Sequence, residues 1–225
     1  MKLELTIPTD LSEIKLSQYQ KFIKIAKNNE DSEFLRQKMV QIFCNIDLKD
    51  VATIKYKQVN EITAKMFEQF TKNHELIKTF KLNGIEFGFI PNLDDLKTGE
   101  YVDLDTYLMD WDEMNKAMAV LFRPIKEKQG NKYIIQDYVG SQKYSELIKD
   151  MPLNVALGAY VFFYHLGKDL LLSTLTFLEE NPQVQNTLSK LNLGKDGAGT
   201  HQFMPSLKET LEDLMKLPNY PFIKV

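Results

Sequence analysis

The chain has 225 residues, of which 44% are hydrophobic and 26% are charged, and its formal net charge at pH 7 is −3. This length suffices for one large domain or two small ones with a proper core, and the composition is typical of a soluble globular protein. The small negative charge gives no general reason to bind nucleic acid, and fourteen phenylalanines argue against persistent disorder.

The chain has a single cysteine, Cys44, which excludes an internal disulfide framework and a cysteine-based zinc site. It lies in the apolar stretch "VQIFCNI", which predicts a buried structural thiol. The N-terminal sequence "MKLELTIPTD" lacks an apolar signal region. We expect a protein that works or is assembled in a reducing cytoplasm, with no membrane span and no cofactor.

The first 75 residues predict a helical segment, with Asp10 or Ser12 and Asp31 or Ser32 as caps of its first two helices. Apolar residues recur there every three or four positions, as on the buried face of a helix. The three stripes are Leu16, Tyr19, Ile23 and Ala26; Leu35, Met39, Ile42 and Ile46; and Val59, Ile62, Met66 and Phe70.

Two β-hairpins are predicted after this segment. In "TFKLNGIEFGFIP" the pair Asn83-Gly84 favours a two-residue turn, which sets Leu82 opposite Ile85 and Phe80 opposite Phe87. The stretches "AVLFRPI" and "KYIIQDY" predict a second pair, joined by the loop "KEKQGNK". Between the hairpins we expect a helix over 104–121, with the next strand beginning near Phe122.

A long buried central helix is predicted over about 152–180, with Pro152 in its first turn and Pro182 after its end. Apolar residues surround it almost completely from Val155 to Leu166, and Gly158 and Gly167 permit close approach of another backbone. A glycine-rich loop and a short helix carrying Leu207, Leu211 and Leu214 follow.

The predicted fold class is therefore mainly α with two β-hairpins, an α+β protein. We divide the chain into an N-terminal helical segment (1–75), a core with the hairpins and the central helix (76–192), and a glycine-rich loop with a C-terminal helix (193–225). We expect these three segments to form one compact unit.

The stretch "GEYVDLDTYLMDWDEMNKAM" concentrates the acids Asp103, Asp105, Asp110, Asp112 and Glu113 within eleven residues. An EF-hand starting at Asp103 would need an oxygen ligand at its fifth position and glycine at its sixth, where Tyr107 and Leu108 stand. Asp103 and Asp105 alone do not specify a divalent ion, because no phosphate-binding loop accompanies them. We interpret the acids as helix caps and polar surface, with Asp103 or Asp105 capping the helix.

No catalytic motif emerges from the remaining chemistry. His74, His165 and His201 are too scattered for a metal-ligand spacing, and no nucleophile motif is present. His165 is interpreted as a core residue. Six lysines are interpreted as a solvated helix face, with a local basic surface as the alternative; they are Lys55, Lys57, Lys65, Lys72, Lys78 and Lys81.

Three stretches resemble a family of small proteins encoded among the virion and tail-assembly genes of bacteriophages, including the crAss-like group. They are "FGFIPNLDDLKTGEYVDLDTYLMDWDEMNKAMAVLFRPI", "KYIIQDYVGSQKY" and "MPLNVALGAYVFFYHLGKDLL", and together they span about residues 80–178. The resemblance rests on pattern and carries no catalytic motif.

The resemblance implies a non-enzymatic structural or assembly protein that acts by protein–protein contacts with other phage virion or tail-assembly proteins, in an oligomeric assembly. It would be located in the host cytoplasm during assembly and in the virion if retained. We expect a virion component (neck, portal-associated or internally packaged), with a tail-assembly chaperone for the tape-measure protein as the alternative. The contact candidates are Tyr101, Asp103, Asp105, Asp110, Trp111, Asp112 and Glu113.

Two other classes stay open at this point. One is a divalent-metal-dependent hydrolase that uses the 103–113 acidic cluster. The other is a DNA-binding accessory that uses the lysines at 55–81 and would show strongly salt-dependent binding.

Overall fold

A computed structural model of the chain describes residues 5–27, 29, 33–181 and 183. The chain divides into two compact units, Met1–Tyr160 and Val161–Val225. The first unit contains both the N-terminal helices and the two hairpins. The predicted caps Asp31 and Ser32 lie outside the described residues, as do His201, the glycine-rich loop and the C-terminal helix with Leu207, Leu211 and Leu214.

The predicted N-terminal helices are confirmed. They are α1 (Leu16–Ala26), α2 (Glu33–Phe43) and α4 (Tyr56–Phe70), with an additional short helix, α3 (Leu48–Val51). Their apolar stripes are buried, except that Ile46 follows the end of α2 and is half-buried. The Asp10 carboxylate accepts the Ser12 N–H at 2.8 Å and caps a 3-10 turn at Leu11–Glu13 rather than α1.

Aromatic rings hold the helices of this segment together. Tyr19 on α1 stacks on Phe70 of α4 with ring centroids 5.4 Å apart, and Phe22 packs on Phe43 of α2 at 5.2 Å. All four side chains are at most 3% exposed. Burying rings of this size makes a large contribution to the stability of the segment.

The sheet has four antiparallel strands in the order β1-β2-β3-β4, namely β1 (Thr79–Leu82), β2 (Ile85–Phe89), β3 (Phe122–Gln129) and β4 (Lys132–Ile135). The first hairpin has the predicted register, with Leu82 opposite Ile85 and Phe80 opposite Phe87. Asn83 and Gly84 both have positive φ, at 49° and 79°, as a two-residue turn between twisted strands requires. The predicted α+β class is confirmed.

The second hairpin is tighter than predicted. The strands extend into the stretch "KEKQGNK", which was expected to be a loop, and the pairing continues to Gln129 opposite Lys132. Gly130, with φ of 59°, makes the two-residue connection possible. The prediction that the strand begins at Phe122 is confirmed.

The prediction of one helix over 104–121 is wrong. Two helices occupy the region, α5 (Thr98–Tyr107) and α6 (Met114–Leu121), with turns between them. The break has a local cause, because the Asp110 carboxylate accepts the Asp112 N–H at 2.9 Å and so competes with helical hydrogen bonding. Neither Asp103 nor Asp105 is a helix cap, since both lie inside α5.

A helix that the sequence did not indicate, α7 (Gln142–Ile148), packs on α6 and precedes the long helix α8 (Leu153–Glu180). The predicted long helix is confirmed, and its residues from Val155 to Val161 are buried. Gly158 lies against the chain at Glu75, where a Cβ atom would come 2.1 Å from the Glu75 carbonyl oxygen. The predicted close approach is thus present at Gly158, whereas no atom in the described part of the chain would lie within 4 Å of a Cβ atom at Gly167.

The described part of the second unit consists mainly of the remainder of α8. Tyr164, Leu175 and Leu178 are buried there, whereas Leu170 and Phe177 are 66% and 54% exposed. His165 is exposed, so its interpretation as a core residue is wrong. By length and composition the stretch Leu153–Leu178 could cross a membrane, a property that it shares with core helices of soluble proteins.

Candidate interaction surface on helix α5

Helix α5 is fixed at its N-terminus by a buried ion pair. The Glu100 Oε1 atom lies 2.6 Å from Nη2 of Arg123 on β3, and the side chains are only 4% and 9% exposed. The other carboxylate oxygen of Glu100 accepts the Lys97 N–H at 2.7 Å and thereby caps the helix. No local pattern predicts this pair, because its members are 23 positions apart and belong to different elements.

The inner side of α5 carries Leu104, which is 6% exposed, and Asp103. The Tyr138 hydroxyl donates a hydrogen bond to the Asp103 carboxylate. Burial raises the pKa of Asp103, but hydrogen bonds from Tyr138 and Ser141 outweigh this effect, so that its pKa lies below the ordinary value. Burial, followed by the bond to Asp103, raises the pKa of Tyr138 to about 12. Asp103 therefore serves mainly to hold α5 against the segment after β4.

The outer side of α5 exposes large side chains. Tyr101 is 63% exposed, Val102 53% and Met109, just beyond the helix, 50%, and Asp105 is exposed among them. We call these four residues the α5 face. Asp105 lies four positions from Tyr101 and three from Val102, so these side chains share one side of the helix. Met109 lies in the turn that follows the helix. Exposed aromatic and apolar side chains beside a carboxylate are a composition found in protein–protein interfaces.

The acids of the turn after α5 have partners or are solvated. Asp110 is exposed, and one of its oxygens holds the turn. The Asp112 carboxylate lies 3.8 Å from Lys24 Nζ and 3.7 Å from Lys27 Nζ, both near the end of α1. Glu113 pairs with Lys116 one helical turn away. These contacts stabilise the turn and leave Asp105 and Asp110 as the more accessible carboxylates of the cluster.

Trp111 lies in the core, not on the surface. It is 3% exposed, and its ring centroid lies 5.0 Å from those of Tyr19 and Tyr160. Met114, Asn115 and Met118 are buried with it. As a contact candidate, however, Trp111 is unavailable in this conformation. Of the seven candidates, the structure leaves Tyr101, Asp105 and Asp110 fully exposed.

The acidic cluster does not form a compact ligand set. Asp103 and Asp105 are two positions apart on α5, and residues at this spacing do not face each other on a helix. Among the described residues, no three histidine, cysteine, aspartate or glutamate side chains are grouped so that they could hold a metal ion.

The other candidate reactive groups are isolated. Cys44 is buried, and burial raises its pKa to about 11, which suppresses the reactive thiolate. His74 is buried, with its Nε2 atom 3.3 Å from the Phe70 carbonyl oxygen. The six lysines between 55 and 81 are all exposed, but only Lys57 and Lys65 lie in α4 and Lys81 belongs to β1, so the predicted single helix face is wrong.

No protein-family model, curated protein or solved structure matches this chain. The exposed side chains of the α5 face and the sequence resemblance described above are therefore the remaining indications of function.

Proposed function

We propose that the protein is a non-enzymatic structural or assembly component that binds a partner protein through the α5 face. In line with the sequence resemblance, the partner is another bacteriophage virion or tail-assembly protein. The observation that carries the proposal is the exposure of Tyr101 and Val102 beside Asp105 on one side of α5, with exposed Met109 in the turn that follows.

The anchoring of α5 supports a binding role. Its inner side is held by the Glu100–Arg123 ion pair, by buried Leu104 and by the hydrogen bond between Asp103 and Tyr138. A partner therefore meets a preorganised surface, and less conformational entropy is lost on binding than with a mobile segment. Tyrosine is also among the residues that contribute most to interface energies.

The proposal favours a component retained in the particle, in the neck, beside the portal or inside the capsid. The alternative is a chaperone that holds the tape-measure protein and leaves before the particle is complete. Mass spectrometry of purified virions beside the infected-cell lysate separates the two. Near-stoichiometric copies in virions support retention, whereas abundance in the lysate with absence from virions supports the chaperone.

The α5 face is tested by complementing a phage that lacks this gene. In Tyr101→Ala/Asp105→Lys, loss of an aromatic anchor together with a reversed charge should lower incorporation or particle yield at least about tenfold. The matched control is Tyr56→Ala on α4, because Tyr56 is 60% exposed and Tyr101 is 63% exposed. The proposed surface is refuted if the double variant and the control both complement like the wild type.

The rival hydrolase is tested independently by thermal unfolding in Mg²⁺, Mn²⁺ or Ca²⁺. A native metal site must raise the melting temperature at saturating metal. If metal raises the melting temperature and Asp105→Asn/Asp110→Asn abolishes this rise, these carboxylates bind a metal ion. The proposed contact surface is then wrong. An unchanged melting temperature agrees with the proposal made here.

A further inference from the structure

A cavity of about 200 Å³ lies next to the N-terminus of α5. It is open to solvent on one side and is lined by the residues just after β2, the start of α5, the start of β3 and the end of β4. Arg123 and Glu100 form its charged wall, Lys97 and Asp137 are also part of the lining, and Ile90, Pro91 and Ile135 supply apolar surface.

Arg123 brings an unused hydrogen-bond donor to this cavity. Its side chain is 9% exposed, and only its Nη2 atom pairs with Glu100. Its buried Nε–H has no hydrogen-bond acceptor within the described part of the chain. Because a guanidinium group stays charged at any ordinary pH, a buried N–H without an acceptor is costly and favours an added acceptor.

Glu100 cannot readily satisfy that donor. One of its oxygens is bound by Arg123 Nη2 at 2.6 Å, and the other accepts the Lys97 N–H at 2.7 Å. Turning the carboxylate toward Nε would give up the cap of α5. Lys97 and the first N–H groups of α5 add positive potential at the same end of the helix.

The remaining lining restricts the kind of anion. Asp137 is paired with Lys126 at 2.8 Å, and Asp95 accepts a hydrogen bond from Asn92 at 2.7 Å. With Glu100, three carboxylates line the cavity against two cationic groups, Lys97 and Arg123. This balance disfavours a doubly charged phosphate, whereas a singly charged carboxylate matches the planar fork of arginine.

We propose that this cavity binds a carboxylate carried on a short apolar body, with Arg123 as its principal donor and the two isoleucines and Pro91 against the apolar part. The ligand is either a free small carboxylic acid or the C-terminal carboxylate of a polypeptide. Since Nε is buried, binding requires a small rotation of the guanidinium group that turns Nε toward the cavity while Nη2 keeps its contact with Glu100. The inference does not depend on the proposed partner of the α5 face.

The test is NMR titration of the Arg123 Nε–Hε signal in the full-length protein at constant ionic strength. Sodium propionate should shift this signal downfield in a saturable manner, whereas neutral propionamide of the same shape should not. Inorganic phosphate should bind more weakly than propionate. Absence of a saturable propionate shift, an equal response to propionamide, or tighter binding of phosphate would each overturn the proposal.

Variants separate binding from folding. Glu100→Gln frees Arg123 from its charged partner and should strengthen propionate binding, while Glu100→Gln/Arg123→Gln replaces the ion pair by two neutral amides. The double variant should lose at least about tenfold in affinity, as expected when a charge-assisted hydrogen bond is removed. Backbone amide shifts of Ile135 and Gln136, which line the cavity, report binding in the double variant, which lacks Arg123. If both variants bind propionate with unchanged affinity, the assignment to Arg123 is wrong. Lys132→Gln on β4 is the control for a change of charge outside the cavity.

The two sources of the carboxylate are distinguished by the peptide Gly-Gly-Val with a free or an amidated C-terminus. If the free acid binds at least tenfold more tightly than propionate and the amide does not bind, the ligand is a polypeptide C-terminus. If the free acid binds no better than propionate, the ligand is a small carboxylic acid. Binding of the amide as tightly as the free acid would refute carboxylate recognition.

Discussion

At Gly158, the absence of a side chain allows helix α8 to pack closely against the backbone at Glu75. The backbone of α8 passes so close to Glu75 that a Cβ atom at residue 158 would lie 2.1 Å from the Glu75 carbonyl oxygen. A carbonyl oxygen of the main chain moves only if its segment moves. The glycine therefore determines how closely the start of α8 packs on the chain that leads into β1.

Gly158→Ala should destabilise the protein by at least about 2 kcal/mol, because the cost of the steric conflict exceeds the gain in helix propensity. Gly167→Ala is the matched control in the same helix, since no atom of the described residues lies within 4 Å of its added methyl group. That variant should gain about 0.5–1 kcal/mol. Urea unfolding followed by far-UV circular dichroism measures both, and equal effects would contradict the close contact.

The lowered pKa of His74 predicts that the stability of the protein depends on pH. Burial lowers its pKa below the ordinary value of 6.5, although the contact with the Phe70 carbonyl acts in the opposite direction. The unfolded chain then binds a proton more readily than the folded one, so this contribution to stability is present above about pH 6.5 and is lost as the pH falls toward the lower folded pKa.

The free energy of unfolding should accordingly fall between pH 7.5 and 5.5, and His74→Gln should reduce that fall. Chemical denaturation at several pH values, monitored by Trp111 fluorescence, measures both slopes. If wild type and variant lose stability in parallel, His74 is not the group responsible.

At the scale of elements, the break between α5 and α6 is held by one local contact and by a group of long-range contacts. Asp110 holds the turn locally, and Gln20 on α1 holds it from a distance. The Gln20 Nε2 atom lies 2.9 Å from the Trp111 carbonyl oxygen, 3.2 Å from that of Asp112 and 3.1 Å from Asn115 Oδ1. The turn is thereby joined to the N-terminal helices.

Gln20→Met preserves the approximate volume but leaves these acceptors without their donor. The cost should be about 1–3 kcal/mol, the range for a buried hydrogen-bonding group that loses its partner. The control Gln58→Met changes the same chemistry on the exposed side of α4 and should be nearly neutral. Differential scanning calorimetry gives both values, and equal melting temperatures would show that the contacts carry no net stability.

For the whole first unit, the main question is whether the N-terminal helices fold together with the hairpins. Trp111 packs between Tyr19 of α1 and Tyr160 of α8, so its environment depends on both parts. Cys44 is buried just after α2 and is remote in sequence from the hairpins. Cys44 therefore reports on the N-terminal helices, whereas Trp111 reports on their contact with the rest of the unit.

Trp111 fluorescence and the reactivity of Cys44 with a thiol reagent should report the same midpoint in a urea titration. Coincident transitions are the signature of one cooperative unit. A change in Trp111 fluorescence in two steps, with the first step coinciding with the exposure of Cys44, would instead show that residues 1–75 unfold separately. The same titration in Gly158→Ala should shift both transitions together.

Local sequence was enough to predict the elements whose causes are local. The stripes of α1, α2 and α4 follow the helical repeat, and Asn83-Gly84 adopts the positive φ values that set the register of the first hairpin. Helix α7 lacked a comparable signal, because its short sequence has no complete apolar stripe and its order comes from packing on α6. The prediction of a continuous helix over 104–121 was wrong partly for a related reason. Gln20 helps to hold the turn between α5 and α6, and a contact between such distant residues leaves no local pattern.

The sequence by itself determined the α+β class, the hairpin turn, the long helix and the acidic segment, because periodicity and turn chemistry act over a few neighbouring residues. Only the tertiary structure decided that Trp111 is buried while Tyr101 is exposed, and that Arg123 meets Glu100 beside a cavity. These facts depend on which elements pack together. Residues far apart in the chain share a site only after the hydrophobic core has fixed the positions of the helices and strands that carry them.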